Sequence, residues 1–301
     1  MKNCLFNGIL FLVVMLVYIG QARATISPTD VFQKTEILAL KLDVLGLLNH
    51  AEQGMVDSTD MLRHPRHVMQ KVRECHTLVG KILVQKGHSP EKLPDLFSVQ
   101  EIRPMDVLSG VNHLIKEVDR LNPPAIKIPK IKDQKVPGDV YANLNKICRS
   151  LDAEIIPSDL FQIAVGVNER LDNILTLRAY DNSFPLKVFA DIKPIDVYLK
   201  TLSFLTDLRL LALNPDFAIP GGIIFRNYKP VEEDIKPQDI MSLMNDSFSG
   251  TSAISYTLGY RDHVLLPSYE DHKNFSDVYA QISRAHDVVR FLLIQETGDE
   301  E

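Results

Sequence analysis

The chain has 301 residues, of which 45% are hydrophobic, and its 33 Lys and Arg against 39 Asp and Glu give a formal net charge of −6. This acidic balance argues against a nucleic-acid partner, because phosphate binding depends on a basic face. The length and the apolar fraction are sufficient for a substantial buried core.

The first 24 residues have the pattern of a secretory signal. Residues 9–19 form an apolar run that is too short to span a bilayer, and Ala22-Arg23-Ala24 fits a cleavage site. We therefore predict a mature chain that begins at Thr25 and is secreted or periplasmic, with an uncleaved anchor as the alternative. No later segment is apolar enough to predict a membrane span.

From Ile26 to Leu292 one short pattern recurs about eight times: a proline, a spacer, an acid, an aliphatic residue and usually an aromatic. The clear copies begin at Pro28, Pro104, Pro137, Pro157 and Pro194, and the degenerate ones begin at Pro65, Pro237 and Asn274. The copy at Pro65 has His67 in place of the acid. Self-similarity at this spacing is typical of an array of similar structural elements.

Each copy predicts a helix. Counted from the aliphatic residue, apolar side chains recur at +4, +7, +11 and +14, as in Val107, Val111, Leu114, Val118 and Leu121, which is the spacing of one helix face. The sequence thus predicts an all-α fold of about seven to eight helices in a bundle-like or solenoid-like array, with Pro-containing extended connectors. The copy from Ile240 loses the pattern after Met244, which predicts a truncated helix.

The repeated aspartates are interpreted as structural residues of helix N-termini, where a carboxylate meets unpaired backbone donors and the positive end of the helix dipole. Two alignments remain open: proline at N1 with aspartate at N3, or aspartate itself as N-cap. The residues concerned are Asp30, Asp106, Asp139, Asp159, Asp196, Asp239 and Asp277.

A stretch rich in proline and lysine, residues 122–138, lacks helical periodicity. It predicts a division into N-terminal helical repeats at 25–121 and C-terminal helical repeats at 139–301. A single continuous array is the alternative. Cys75 and Cys148 both fit helical positions in or beside the core, which favours two free buried cysteines and leaves a disulfide open.

The segment 245–261 is rich in small residues and interrupts the regular repeat, so we interpret it as a loop that binds a ligand or partner. The candidate binding residues are Ser247, Ser249, Thr251, Tyr256, Tyr260, Arg261 and His263.

Two further sets could line a ligand or metal site, although the first has no carboxylate or second cysteine to complete a tetrahedral set and packing explains the second. One is His64, His67 and His76, and the other is the repeated aromatic position occupied by Phe32, Tyr141, Phe161, Tyr198 and Tyr279. No catalytic or cofactor motif is present, so no metal or cofactor is predicted and a non-enzymatic protein is favoured.

The sequence therefore favours an interaction module that docks another protein or an envelope component. The alternative is a periplasmic helical sensor or carrier with a small ligand or metal between its helices. The oligomeric state cannot be inferred from the sequence.

Overall fold

The computed structural model describes residues 26–49, 63–91, 102–151, 153–219, 235–260 and 266–297. These residues contain eight helices and no strand, and 66% of them are helical. The helices are α1 (Pro28–Val44), α2 (Pro65–Gln85), α3 (Pro104–Asp119), α4 (Pro137–Ser150), α5 (Pro157–Leu177), α6 (Pro194–Leu211), α7 (Pro237–Thr257) and α8 (Phe275–Thr297). The predicted all-α, bundle-like fold is confirmed. The predicted signal, residues 1–24, lies outside the described residues.

All eight helices begin with the same backbone contact. The residue at N3 accepts a hydrogen bond from the backbone N–H of the N-cap residue, and in seven helices the acceptor is the repeated aspartate. The donor–acceptor distance is 2.7 Å at Asp106 and 3.1 Å at Asp239. Proline at N1 with aspartate at N3 is therefore the alignment that the chain adopts. The bond satisfies a donor that would otherwise lack a partner.

In α2 the same role falls to a histidine. The backbone N–H of His64 donates to Nδ1 of His67 at 2.9 Å. The degenerate copy of the repeat therefore keeps a hydrogen-bond acceptor at N3 but has no carboxylate there.

The predicted helix faces form the core. Val107, Leu114, Val197 and Val278 are all buried. The threonine at a core position of α6, Thr201, is also buried, and its hydroxyl donates to the carbonyl of the residue one turn earlier. Because that bond satisfies the hydroxyl within the helix, the residue packs as a small apolar one.

The eight helices group into two units with the same connectivity. In the first, α1 packs against α3 and α4, and α2 packs against the same two helices. In the second, α5 packs against α7 and α8, and α6 packs against the same two. We call α1–α4 the first unit and α5–α8 the second unit. Each is a four-helix bundle in which the first and second helices lie on opposite sides.

In the first unit, the extended connector that precedes α4 is bonded to α1. Gln33 of α1 donates to the carbonyl of Pro129 at 2.9 Å. The backbone N–H of Lys135 donates to the Thr29 hydroxyl at 2.9 Å, and the Lys135 ammonium lies 4.9 Å from the centre of the Phe32 ring. Two hydrogen bonds and a cation–π contact therefore fix the extended chain to α1.

Corresponding residues make the same three contacts in the second unit. Gln162 of α5 donates to the carbonyl of Pro267 at 2.7 Å, the Lys273 N–H donates to the Ser158 hydroxyl at 3.1 Å, and the Lys273 ammonium lies 4.4 Å from the Phe161 ring centre. Each residue of these contacts in the first unit has the same position as its equivalent in the second unit, counted from the first residue of the helix that contains it or that it precedes. The repeat therefore extends from the single helix to the whole four-helix unit.

The two units are joined by the packing of α2 against α7. α4, which begins at the end of the stretch 122–138, packs against α1 and α2 of the first unit. The domain division predicted at 122–138 stays a prediction. Of the described helices, none has an apolar run long enough to cross a membrane.

Cys75 of α2 and Cys148 of α4 are bonded to each other inside the first unit. The favoured interpretation of two free cysteines is therefore wrong, although both are buried as that interpretation required. The same positions of α6 and α8, counted from the first residue of each helix, hold Phe204 and His286. Their rings are in contact, with 6.5 Å between the centroids. The contact between the second and fourth helices is thus a disulfide in the first unit and a contact between two aromatic rings in the second.

Loss of the disulfide should destabilise the first unit. The bond joins residues separated by 73 positions, so its removal frees a long loop in the unfolded chain and should lower the free energy of unfolding by about 2–4 kcal/mol. Urea unfolding of the oxidised chain, the reduced chain and the Cys75→Ala, Cys148→Ala double variant would measure this. Coincident curves for the oxidised and reduced chains would contradict the expectation.

Acid should weaken the second unit through His286. Burial lowers the pKa of His286 below its usual value of 6.5, against the opposing effect of the hydrogen bond to Asp207. The unfolded chain therefore takes up this proton first, and stability should decline as the pH falls below about 6.5. His286→Gln should flatten that part of the stability profile, as measured by urea midpoints between about pH 5 and 8. An unchanged profile in the variant would rule out this role for His286.

Candidate functional site

The predicted binding loop is part of a helix. α7 continues without interruption to Thr257, so the interpretation as a loop is wrong for residues 245–257. Ser247, Ser249 and Thr251 are buried within it, while Tyr256 and Tyr260 are partly buried. Arg261 and His263 lie outside the described residues. Whether any of these residues contacts a partner stays a prediction.

The repeat does not end at Met244; it continues with hydroxyl side chains. Ser247 and Thr251 stand at +7 and +11 from Ile240, which are core positions, and Ile254 follows at +14. The Ser247 hydroxyl donates to the Leu243 carbonyl at 2.9 Å, and the Thr251 hydroxyl donates to the Ser247 carbonyl at 3.0 Å. Such bonds make small polar residues compatible with a helix core.

Crowding explains why α7 uses small residues. It packs against α5 and α6 of its own unit and against α2 of the other, and every residue from 240 to 251 is buried. Gly166 of α5 is part of this fit, since a Cβ there would lie 2.9 Å from the ring of Phe248 and 3.2 Å from Pro267. A helix covered on several sides has no polar stripe, which removes the pattern by which sequence analysis recognises a surface helix.

A buried polar cluster lies where α2 meets α7. The Lys71 ammonium is 2.8 Å from the Glu74 carboxylate, and these two side chains are only 2% and 4% exposed. Lys71 also donates to the Ser242 hydroxyl at 2.7 Å, and the Asn245 amide lies 3.5 Å from Glu74. We call these four residues the inter-unit joint. Because both charges are out of water, their mutual attraction and the surrounding hydrogen bonds compensate for the cost of burying them.

Two partly exposed ion pairs flank the joint. Lys81 of α2 lies 2.6 Å from Asp159 of α5, and Arg149 of α4 lies 3.3 Å from Asp239 of α7. Asp159 and Asp239 are both N3 residues of the repeat, so each bonds a helix start in the second unit and a cation of the first. The pKa of nearby Tyr198 is raised by burial and by the Asp239 carboxylate.

The histidines that could have bound a metal have structural contacts. His67 accepts the helix-start bond, and Nε2 of His76 is 3.0 Å from the carbonyl oxygen of Glu91. Burial, followed by the neighbouring His113, lowers the pKa of His76. In the described part of the chain, His, Cys, Asp and Glu do not form a group of three suited to a metal ion.

The repeated aromatic residues contact the non-helical segments that connect the helices. Besides Phe32 and Phe161, the ring of Tyr141 packs under the guanidinium of Arg63 at 4.0 Å, and that of Tyr279 contacts Phe189 at 4.8 Å. These contacts agree with the packing role favoured by the sequence.

An apolar segment is exposed between α5 and α6, and we call residues 184–189 the connector ridge. It is fixed to α8 at both ends: the Phe184 ring contacts Phe291 at 5.4 Å, the Phe184 carbonyl accepts from Arg284 at 2.9 Å, and Phe189 contacts Tyr279. Between these anchors Leu186 and Val188 are 52% and 98% exposed. The ridge therefore presents apolar side chains from a fixed backbone.

Comparison with known proteins gives no relative: no family model, curated protein or solved structure matches the chain.

Breaking the inter-unit joint should cost much more than breaking a surface ion pair. Lys71→Met leaves the Glu74 carboxylate buried without its cation and should lower the free energy of unfolding by about 3–5 kcal/mol. The matched control is Lys116→Met, which removes an exposed partner of Glu91 and should change the stability very little, because an exposed ion pair contributes little. Urea unfolding measures both, and equal costs for the two variants would contradict the assigned role.

Proposed function

We propose that this protein is a secreted or periplasmic, non-enzymatic interaction module that docks another protein or an envelope component through the connector ridge. The observation that carries the proposal is the exposure of Leu186 and Val188 on a segment anchored at both ends. Exposed apolar side chains on soluble proteins are typical of docking sites when they cluster and are rimmed by polar groups.

The charges around the ridge complete the pattern. Lys187, between the two exposed residues, is 2.7 Å from Asp287 of α8. Arg284 is held by Asp172 at 2.8 Å as well as by the Phe184 carbonyl. An apolar centre with a polar rim is the usual anatomy of a protein interface. Because the backbone is already fixed, binding would cost little ordering entropy.

The assignment of carboxylates supports a non-enzymatic role. The repeated aspartates bond backbone N–H groups at seven helix starts, and two of them also bind cations across the units. Catalysis by carboxylates requires groups that converge on one reacting centre with suitable ionisation. These residues are instead distributed along the array and engaged in structural bonds.

The alternative function, a sensor or carrier, makes a different prediction. A specific small ligand or metal between the helices should remain bound through purification, so native mass spectrometry and metal analysis of the untreated mature chain would detect it. A stoichiometric ligand would favour the alternative over docking.

Substitution of the ridge should abolish docking. Leu186→Ser with Val188→Ser removes the exposed apolar surface, and recovery of the partners that the wild-type mature chain captures from an envelope fraction should fall at least about tenfold. The matched control is Ile128→Ser with Val136→Ser, which removes two exposed apolar residues from the connector before α4.

Both variants should keep the helical circular dichroism of the wild type, because the four side chains are exposed. Equal recovery by the ridge variant, the control and the wild type would refute docking through the ridge.

A further inference from the structure

α6 occupies in the second unit the place that α2 occupies in the first, because each is the second helix of its bundle and packs on the third and fourth. In α2 the outward face forms the inter-unit joint. The corresponding face of α6 is open to solvent, and Leu199 and Leu210 on it are 47% and 51% exposed. Counted from the N1 proline, these leucines stand where α2 has Gln70 and Lys81.

α3 occupies in the first unit the place of α7 in the second. Two joint residues of α7 recur in α3 at the same positions: Ser109 corresponds to Ser242, and Asn112 corresponds to Asn245. Ser242 and Asn245 are buried against α2, whereas Ser109 and Asn112 are exposed. Among the described helices, α6 and α3 therefore each present a second, solvent-exposed copy of one side of the joint.

The polar contacts of the joint can be rebuilt between two molecules. Lys200 stands in α6 where Lys71 stands in α2. It can therefore donate to Ser109 of a second copy as Lys71 donates to a serine within the chain. The Ser203 hydroxyl, one turn further along α6, donates to the Leu199 carbonyl and can accept from the Asn112 amide of that copy.

The apolar contacts can be rebuilt as well. Arg73 of α2 lies over the ring of Phe248 of α7, at 5.5 Å. Their counterparts are Leu202 and Ile115, which are both partly buried apolar residues that would meet between copies. This replacement removes a charge that would otherwise need a partner at the new contact.

Neither of the two flanking ion pairs is reproduced between copies. Leu210 stands where α2 has Lys81, and it would face Asp30, the counterpart of Asp159, without a cation.

The other ion pair becomes a repulsion. Asp287 of α8 stands where Arg149 stands in α4, and between copies it would approach Asp106, the counterpart of Asp239. Asp287 is already paired with Lys187 at 2.7 Å, which reduces the repulsion. The exposed leucines of α6 compensate for the two lost ion pairs with apolar area.

We propose that copies of this chain associate head to tail, with the outward face of α6 of one copy on the outward face of α3 of the next. This contact between molecules has the same arrangement as the packing of α2 on α7, which joins the two units within one molecule. Because it uses two different faces, it is heterologous and builds a ring or an open chain of subunits instead of a symmetric dimer. Leu186 and Val188, the exposed apolar residues of the connector ridge, take no part in this contact, so self-association can be absent while docking through the ridge occurs.

Complementary variants test the two faces. Leu199→Glu with Leu210→Glu disables α6, and Ser109→Tyr with Asn112→Tyr disables α3 by placing bulky, uncharged side chains where the joint has the small side chains of Ser242 and Asn245. In sedimentation velocity the wild-type mature chain should grow in mass with concentration, and each variant should stay monomeric. The control Ile128→Glu, at an exposed apolar residue of the connector before α4, should behave as the wild type.

An equimolar mixture of the two variants distinguishes this arrangement from others. Each retains the face that the other lacks, so the mixture should form a one-to-one dimer and stop there. Unfolding midpoints near that of the wild type would verify that both variants fold. The proposal is overturned if the wild type stays monomeric up to about 1 mM, if either variant associates by itself, or if the folded variants do not combine.

Discussion

The bond from the N-cap N–H to the N3 side chain sets the geometry on which the remaining structure depends. It fixes the residue at which each helix begins, and so it fixes which residues point inward at every later turn. Val107, at N4 of α3, and its equivalents are buried in every helix as a consequence. That His67 replaces aspartate in α2 shows that the requirement is an acceptor at N3, whether or not it is charged. The helix dipole adds stabilisation where the acceptor is a carboxylate.

The second level of organisation is the four-helix unit, and the differences between its two copies are as informative as the shared contacts. The clasp of the last connector on the first helix is the same in both, at Lys135 and at Lys273. The buried position between the second and fourth helices holds a disulfide in one unit and a Phe–His pair in the other. The third helices, α3 and α7, differ most between the units, because α7 also packs against α2 of the first unit. Its small residues, and the polar joint built on them, follow from that extra neighbour.

Sequence periodicity predicted the helices and their core faces because one-sided burial leaves a stripe of apolar residues. It failed where that assumption failed. Ser247 and Thr251 were interpreted as signs of a loop, although their hydroxyls bond within the helix and their side chains fill a crowded interior. The Lys71–Glu74 pair could not be inferred either, since charges three residues apart on a helix are usually solvated. The disulfide depends on the distance between α2 and α4, which neither cysteine's local sequence encodes.

The repeated helix start is therefore the basis of both the fold and the surfaces that the fold presents, including the connector ridge anchored on α8. Amide hydrogen exchange at the N-cap residues tests it most directly, because these N–H groups have no helical partner and depend on the N3 side chain. The account predicts slowed exchange at Arg103, Ile156 and Lys193 in the wild type, and loss of the slowing at Lys193 alone in Asp196→Ala. Exchange at the rate of unprotected amides in the wild type, or no change at Lys193 in the variant, would contradict it.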